Sequence, residues 1–246
     1  MKKRNIRGLV VSLILVLVLT LGAGCALTPS VETSPPPSPP ATENITPIDT
    51  EWSVTFPESQ TPILPSIADV VDKVKPSVVA MTGTGTTFIG GYGHDQVLIK
   101  KMRERNGNVP TTTTSTSVID AFNKMGIRKV SVAMPYLEDV SRAAVKFVED
   151  SGFKVVTAKW LNKTGRAIQE LSKETLYHLA REVDDPESEA VFISCTNLHT
   201  FEIIDKLECD LQKPVITSNQ ATIWNMLRLA GINDKIEGYG QLLSKY

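Results

Sequence analysis

The chain has 246 residues, of which 41% are hydrophobic and 22% are charged, and its formal net charge is −1. This length is enough for one large or two small hydrophobic cores. The balanced charge argues against nucleic-acid binding, because there is no basic excess to neutralise phosphates. The three cysteines allow at most one internal disulfide, which excludes a disulfide-rich secreted scaffold.

The N-terminus has the pattern of an export signal. Four basic residues within the first seven precede an almost unbroken apolar run over residues 9–21, and Gly22-Ala23-Gly24 leads to Cys25. This arrangement resembles a bacterial lipoprotein signal peptide over residues 1–24. It implies lipidation of Cys25 and a membrane-anchored, extracytoplasmic protein. An uncleaved anchor is the alternative, although the apolar run is shorter than the ~20 residues that span a bilayer.

Residues 25–65 are rich in Pro, Ser and Thr, with the densest cluster over residues 34–40. Such a composition cannot bury enough apolar surface to fold, and it favours extended polyproline II structure. We therefore predict a disordered linker that holds the following domain away from a membrane surface.

The segment over residues 66–82 predicts a short helix followed by a strand, with Ser66 as the helix N-cap and Pro76 ending the helix. It resembles the start of the catalytic domain in high-temperature-requirement, trypsin-like serine proteases. No Gly-Asn-Ser-Gly-Gly motif follows, and the three histidines lack the alanine-histidine context of that family, so a Ser-His-Asp mechanism is excluded. We interpret the segment as a protease-like stub without protease activity.

From residue 83 onward, strand and helix patterns alternate. Strands are predicted over residues 109–113, 129–134, 153–157, 190–194 and 214–217. Helices are predicted over residues 94–105, 116–125, 140–151, 173–183, 201–209 and 220–230. The alternation predicts βαβ units and a parallel sheet, an α/β Rossmann-like domain over residues 83–246. Ligands bind such sheets at the carboxyl ends of strands, and Tyr136, Cys195 and Ser218 each follow a predicted strand.

The most informative stretch is residues 191–200, where an apolar strand stops at Cys195 and small hydroxyl and amide residues follow. Backbone N–H groups at a junction between a strand and a loop or helix favour negative charge, so a thiol there is suited to handling protons. The alternative is a structural core cysteine, since free Cys is among the most buried residue types. This stretch alone leaves both interpretations open.

Five motifs occur in order along this part of the chain: Thr87-Phe88-Ile89-Gly90-Gly91, residues 111–117, Met134-Pro135-Tyr136, Ser194-Cys195-Thr196-Asn197-Leu198, and Pro214-Val215-Ile216-Thr217-Ser218-Asn219-Gln220. Together they resemble the maleate cis-trans isomerase and arylmalonate decarboxylase group of the aspartate/glutamate racemase superfamily, over residues 86–246. The resemblance implies two similar α/β halves with the active site between them. Each half is expected to contribute one catalytic position at the end of a strand.

The resemblance implies a catalytic cysteine in each half, and here the first is absent. Gly83 and Thr84 stand at the corresponding place, while Cys195 occupies the second position, that of the proton donor. Arylmalonate decarboxylase resembles this arrangement, with glycine at the first position and cysteine at the second. Because the segment upstream resembles a protease, we predict that the first half is truncated and lacks the first strands of the family.

The resemblance implies that Thr84, Tyr136, Thr196 and Asn197 bind the substrate, with their polar groups directed at carboxylate or enediolate oxygens. No cluster of His, Cys and carboxylate residues has the spacing of a metal site, and family members need no cofactor, so neither is expected. The family is otherwise cytoplasmic, which conflicts with the export signal, because a reactive thiol is prone to oxidation outside the cytoplasm.

Our leading hypothesis from the sequence is a cis-trans isomerase acting on a small dicarboxylate, maleate to fumarate, and impaired by the missing first cysteine. One alternative is a single-cysteine decarboxylase of the arylmalonate type. Another is a non-catalytic, membrane-tethered domain that binds small carboxylates. The sequence leaves open whether the chain forms a homodimer.

Overall fold

The computed structural model describes residues 15–18, 71 and 74–246. Within this part of the chain, two parallel sheets are formed. The first has the order β1-β2-β3, with β1 at Leu15–Val18, β2 at Val79–Thr82 and β3 at Thr111–Thr113. The second has the order β5-β4-β6-β7, with β4 at Lys129–Met134, β5 at Lys154–Trp160, β6 at Ala190–Ile193 and β7 at Val215–Thr217.

Helices follow most of the strands and cover the sheets. In chain order they are α1 (Thr84–Ile89), α2 (His94–Arg105), α3 (Thr114–Met125), α4 (Glu138–Asp150), α5 (Arg166–Gln169), α6 (Lys173–Val183), α7 (Ile204–Leu211), α8 (Ser218–Leu229) and α9 (Gln241–Lys245), with a 3-10 turn at Phe201–Ile203 before α7. None of these described helices combines the length and the apolar character needed to cross a bilayer.

The predicted parallel α/β organisation is confirmed, and the main core lies around the second sheet. Strands β4 and β6 are buried almost throughout, as expected for parallel strands that are covered on both faces. Phe192 of β6 meets Phe122 of α3 edge to face, with 5.7 Å between the ring centroids. Helices α4 and α6 bury one apolar side each against this sheet, which explains their amphipathic patterns.

Some predicted boundaries are wrong. The strand predicted over residues 153–157 extends to Trp160, and the first turn of the helix predicted from residue 201 is the 3-10 turn. The sequence pattern does not predict helix α1. Its glycine and threonine residues are poor helix formers, so its stability comes from packing. Phe88 of α1 is buried against Phe147 of α4, with ring centroids 4.9 Å apart.

Two of the N-terminal predictions fall mostly outside the described residues. These are the signal peptide over residues 1–24, with lipidation of Cys25, and the linker over residues 25–65; Ser66 also lies outside them. Both remain predictions. Leu15–Val18, within the predicted signal peptide, forms β1 and pairs in parallel with β2. The predicted strand after Pro76 is present as β2, which also pairs in parallel with β3.

The two sheets are joined by a helix pair. Helices α3 and α8 follow the edge strands β3 and β7, and they pack against each other. The hydroxyl of Thr222 on α8 donates to the hydroxyl oxygen of Thr114 on α3 at 3.1 Å, and Asn225 Nδ2 donates to Asp120 Oδ2 at 2.7 Å. This packing brings the carboxyl ends of β2 and β6 towards each other.

Candidate active site

Cys195 lies just beyond the carboxyl end of β6, after Ser194. Its side chain is buried, with 7% of the residue exposed, and its φ is +125°, a conformation that residues with a Cβ rarely adopt. Such a conformation costs about 1–3 kcal/mol and persists only where the surroundings hold it. The backbone N–H of Cys195 donates to Ser218 Oγ at 3.0 Å. This hydrogen bond to the Cys195 backbone therefore helps to hold the thiol in place.

Two hydroxyl groups lie beside this thiol. Tyr136 follows β4, and its hydroxyl is 3.2 Å from Ser194 Oγ and interacts with both Thr84 and Cys195. Thr84 begins α1, directly after Gly83, and its hydroxyl donates to Ser218 Oγ at 3.0 Å. The ends of β2, β4 and β6 therefore bring Thr84, Tyr136 and Cys195 into one buried cluster.

The electrostatics of the cluster favour protonated side chains. Burial raises the pKa of the Cys195 thiol, and the N–H of Asn197 and the hydroxyl of Tyr136, which lower it, only partly offset this effect. Burial also raises the pKa of Tyr136 well above its ordinary value, and a negative charge on Cys195 would raise it further. At neutral pH both groups are neutral and can donate protons or hydrogen bonds.

Gly83 occupies in the first half the position that Cys195 occupies in the second. Met81 pairs with Thr113, and Ile193 pairs with Thr217; both threonines are N-caps, of α3 and α8. Residues 83 and 195 each lie two positions beyond these register-equivalent strand residues. Their backbones agree as well, since φ is +130° at Gly83 and +125° at Cys195. The first strand end thus presents a glycine where the second presents a thiol.

A cavity of about 530 Å³ opens along the loop that follows Cys195. It is lined by Gln169, Thr196, Asn197, Leu198, His199, Thr200, Phe201, Glu202 and Asn219. Cys195, Tyr136 and Thr84 are not part of this lining. The structure thus brings three of the predicted site residues together in the buried cluster. It places Thr196 and Asn197, both half-buried, at the neighbouring cavity.

The backbone of Asn197 still reaches the cluster, because its N–H faces the Cys195 thiol. The loop that carries it is held by Asn219 of α8, whose Nδ2 donates to the carbonyl oxygens of Thr196 and Leu198 at 3.1 and 3.0 Å. The sequence places Ser218 after a strand, at the end of the sheet where ligands bind, but predicts no specific role for Ser218 or Asn219. The available signal was the Thr-Ser-Asn run after β7, in which a threonine N-cap places the next two side chains at the start of a helix.

The other predicted features of the site concern cysteines and metals. Cys209 lies on α7 and is exposed, away from the cluster. Cys25 lies outside the described residues. Within the part of the chain that the structure covers, no group of three or more His, Cys, Asp or Glu side chains is arranged to hold a metal ion.

Comparison with known proteins shows which protein family the chain matches. The family model for arylmalonate decarboxylase matches residues 63–243. The chain is 31% identical over 196 residues to arylmalonate decarboxylase from Bordetella bronchiseptica, covering 77% of this chain and 81% of that protein. It is 22% identical over 174 residues to maleate isomerase from Alcaligenes faecalis, covering 68% of this chain and 69% of that protein.

Solved structures agree with this result. A crystal structure of arylmalonate decarboxylase matches with a TM-score of 0.67 and 30% identity, covering 76% of this chain and 84% of that chain. The maleate isomerase of Pseudomonas putida S16 has the same fold, with a TM-score of 0.70, 21% identity and coverage of 76% and 77%.

The family match also corrects the interpretation of residues 66–82. Because the match begins at residue 63, this segment lies inside the family domain, and the resemblance to a serine protease is not supported. The structure agrees, since Val79–Thr82 forms β2 between β1 and β3 and leads directly to Gly83. The chain belongs to the arylmalonate decarboxylase family.

Proposed function

We propose that this protein is a cofactor-independent decarboxylase of small malonate-type dicarboxylates, with Cys195 as the proton donor. The proposal rests on one observation above all, the presence of a single thiol and a glycine at two register-equivalent strand ends. A thiol on one side is sufficient for a reaction that needs one proton delivered to carbon.

The reaction can be written in two steps. In the first, the bond between the α-carbon and one carboxylate breaks, CO2 leaves, and the electron pair remains as an enediolate on the α-carbon and the other carboxylate. The hydroxyl of Tyr136 donates to an enediolate oxygen, and that of Thr84 does so by exchanging its bond to Ser218 for one to the substrate. These donors stabilise the charge that develops as CO2 departs.

In the second step the S–H bond of Cys195 breaks and its proton forms the new C–H bond. The raised pKa of the thiol supports this role, because the proton is present at neutral pH. The thiolate that remains is stabilised by the N–H of Asn197 and the hydroxyl of Tyr136. A proton from solvent then restores the thiol.

Cis-trans isomerisation of maleate, our leading hypothesis from the sequence, is less well supported. In the resemblance on which it rests, a first thiol adds to the double bond and a second delivers a proton. Gly83 stands at the first position, and the other described cysteine, Cys209, lies exposed on α7. The higher identity to arylmalonate decarboxylase than to maleate isomerase also favours decarboxylation.

A prochiral malonate tests the proposal directly. We expect 2-methyl-2-phenylmalonate to release CO2 and to give one enantiomer of 2-phenylpropionate, because the proton comes from one face only. In D2O, one deuterium is expected at the α-carbon. Cys209→Ser is the matched control and should retain activity, while Cys195→Ala should lose it.

Three outcomes would contradict the proposal. Conversion of maleate to fumarate without decarboxylation would support the isomerase. A racemic product would mean that the proton does not come from a fixed thiol. Tight binding of malonates without release of CO2, equal in the parent chain and in Cys195→Ala, would support the carboxylate-binding alternative.

Attachment to a membrane through Cys25 stays a separate prediction with its own test. Cleavage before Cys25 would remove Leu15–Val18, so a processed lipoprotein could not retain the pairing between β1 and β2. Metabolic labelling with a radioactive fatty acid is expected to mark the parent chain, and not Cys25→Ser, if processing occurs. A full-length, unlabelled chain would favour the retained strand.

A further inference from the structure

Ser218 connects the two halves of the site through a single oxygen atom. It is the first residue of α8 and is fully buried. Its hydroxyl oxygen accepts one hydrogen bond from the N–H of Cys195 and another from the hydroxyl of Thr84, both at 3.0 Å. These two bonds use the acceptor capacity of a serine hydroxyl. One atom therefore holds the backbone of the proton donor and a side chain from the opposite half.

The bond to Cys195 is placed where the backbone most needs support. Ser194 still donates its N–H to the carbonyl oxygen of Ala133 in the neighbouring strand β4, but Cys195 has left the sheet and turns to a φ of +125°. The direction of its Cα–Cβ bond, and hence the position of Sγ, depends on that turn. A fixed acceptor for its N–H therefore fixes the thiol.

The first half offers a comparison. Thr114 follows the N-cap Thr113 just as Ser218 follows the N-cap Thr217. Its hydroxyl oxygen accepts from Thr222 on α8 at 3.1 Å. The equivalent hydroxyl in the half that carries Gly83 is thus occupied by a contact between helices, whereas in the half that carries the thiol it supports the strand end.

We propose that Ser218 is a positioning residue, which keeps Cys195 Sγ beside the hydroxyl of Tyr136 and the N–H of Asn197 and orients the hydroxyl of Thr84. Its effect on turnover rests on the proposed function, whereas its effect on the thiol does not. Without this oxygen, Cys195 relaxes towards negative φ and its sulfur moves away from both donors. The thiolate then loses the two groups that stabilise it.

The test compares thiol ionisation in Ser218→Ala with that in the parent chain. Both carry Cys25→Ser and Cys209→Ser, so that Cys195 is the single remaining thiol. Alkylation of Cys195 by iodoacetamide is followed by mass spectrometry from neutral to alkaline pH. We expect the pH at which the alkylation rate is half-maximal, the midpoint of the profile, to be higher in Ser218→Ala. For 2-methyl-2-phenylmalonate we expect kcat to fall by about 10- to 100-fold with little change in KM, as for a misplacement of about 1 Å.

Two further variants separate positioning from a general loss of stability. Ser117→Ala on α3 removes another fully buried serine hydroxyl, whose hydrogen bonds are made to the carbonyl oxygen of Thr113 and the hydroxyl of Thr112. It should leave the alkylation profile unchanged. Ser218→Thr keeps the oxygen, and Thr114 indicates that this helix position accommodates threonine. It should retain the midpoint of the parent chain.

A folded Ser218→Ala protein with an unchanged midpoint would overturn the proposal, as would an equal shift in Ser117→Ala. If Ser218→Ala does not fold, hydrogen exchange at the Cys195 amide of the parent chain decides. Protection is expected, and exchange at the rate of an unstructured peptide would refute the role of Ser218. A shifted midpoint in a chain that decarboxylates no malonate would instead refute the proposed function and leave the positioning role standing.

Discussion

The two halves of the site share a backbone and differ in their chemistry. In each, a residue with a positive φ lies two positions beyond a strand residue that pairs with a threonine, and that threonine ends the neighbouring strand and caps a helix. One half places Gly83 at this point and the other places Cys195. A scaffold with two equivalent strand ends can therefore present a thiol at one end and glycine at the other. It is the thiol, not the local fold, that separates them.

Removing the thiol should have the largest effect on the rate of decarboxylation. In Cys195→Ser the two strand ends become alike in lacking a thiol, and a serine hydroxyl is a much weaker acid. We expect decarboxylation to fall by about 10²- to 10⁴-fold, the range for loss of a general acid. CO2 release measures the change, and Cys209→Ser, at an exposed thiol, should be unaffected. Activity within tenfold of the parent would rule out Cys195 as the proton donor.

Tyr136→Phe tests whether the hydroxyl of Tyr136 serves the side of the site that carries the thiol. This hydroxyl contacts both Cys195 and Thr84, so its loss removes a donor from the substrate and from the thiolate. We expect kcat to fall by about 10²-fold. The pKa of Cys195 should rise, seen as an alkaline shift of the alkylation profile.

Tyr177→Phe is the matched control, since the hydroxyl of Tyr177 on α6 bonds Asp210 at the surface. It should change neither kcat nor the profile. A loss of activity in Tyr136→Phe without any shift of the profile would limit the role of Tyr136 to the substrate.

The same comparison shows what the sequence can reveal. The strands around the thiol were predictable because β4, β6 and β7 are buried on both faces and therefore appear as short apolar runs. Helix α1 was not predictable, because its composition disfavours a helix and tertiary contacts, such as the packing of Phe88 and the hydrogen bond from Thr84 to Ser218, stabilise it. Local patterns thus located the strand end that carries Cys195 better than the one that carries Gly83.

The candidate site divides in the same way. Cys195 and Tyr136 could be identified because each follows a strand that the sequence predicts. The role of Ser218 could not be identified, since its two hydrogen bonds are made to Cys195 and Thr84, which lie 23 and 134 positions away in the chain. The likeness of Gly83 to Cys195 also needs the strand register, which a single sequence does not contain. The protease resemblance failed for a related reason, because it rested on a single short segment, whose pattern of a helix followed by a strand is not specific to one family.

Two glycines near the first strand end allow the cost of its backbone conformation to be measured. Gly83 has a φ of +130°, and a Cβ there would meet nothing closer than Thr86 Oγ1 at 3.5 Å. Its replacement by alanine therefore has a conformational cost alone, which we expect to lower the free energy of unfolding by about 1–3 kcal/mol.

Gly85→Ala is the control, because Gly85 lies within α1 and its added Cβ would make ordinary contacts of 3.7 and 3.8 Å with Val140 and Tyr136. We expect it to raise the free energy of unfolding by up to about 0.5–1 kcal/mol. Urea unfolding of both variants measures the difference. Equal effects of the same sign would mean that the positive φ at residue 83 is not a source of strain.

The smallest effect should appear in the pH dependence of stability. The pKa of Cys195 is raised in the folded chain, mainly by burial, so the folded state holds this proton more tightly than the unfolded state does. Its contribution is fully present below the unfolded thiol pKa of about 8.5 and is lost as the pH rises through the folded pKa.

In a Cys25→Ser, Cys209→Ser background, the chain with Cys195 should therefore lose stability at alkaline pH relative to the same chain with Cys195→Ser. Urea unfolding between neutral and alkaline pH measures this difference, and a constant difference would show that the thiol is not protected from ionisation. Because Gly83 has no titratable group, such a slope would come from one strand end only.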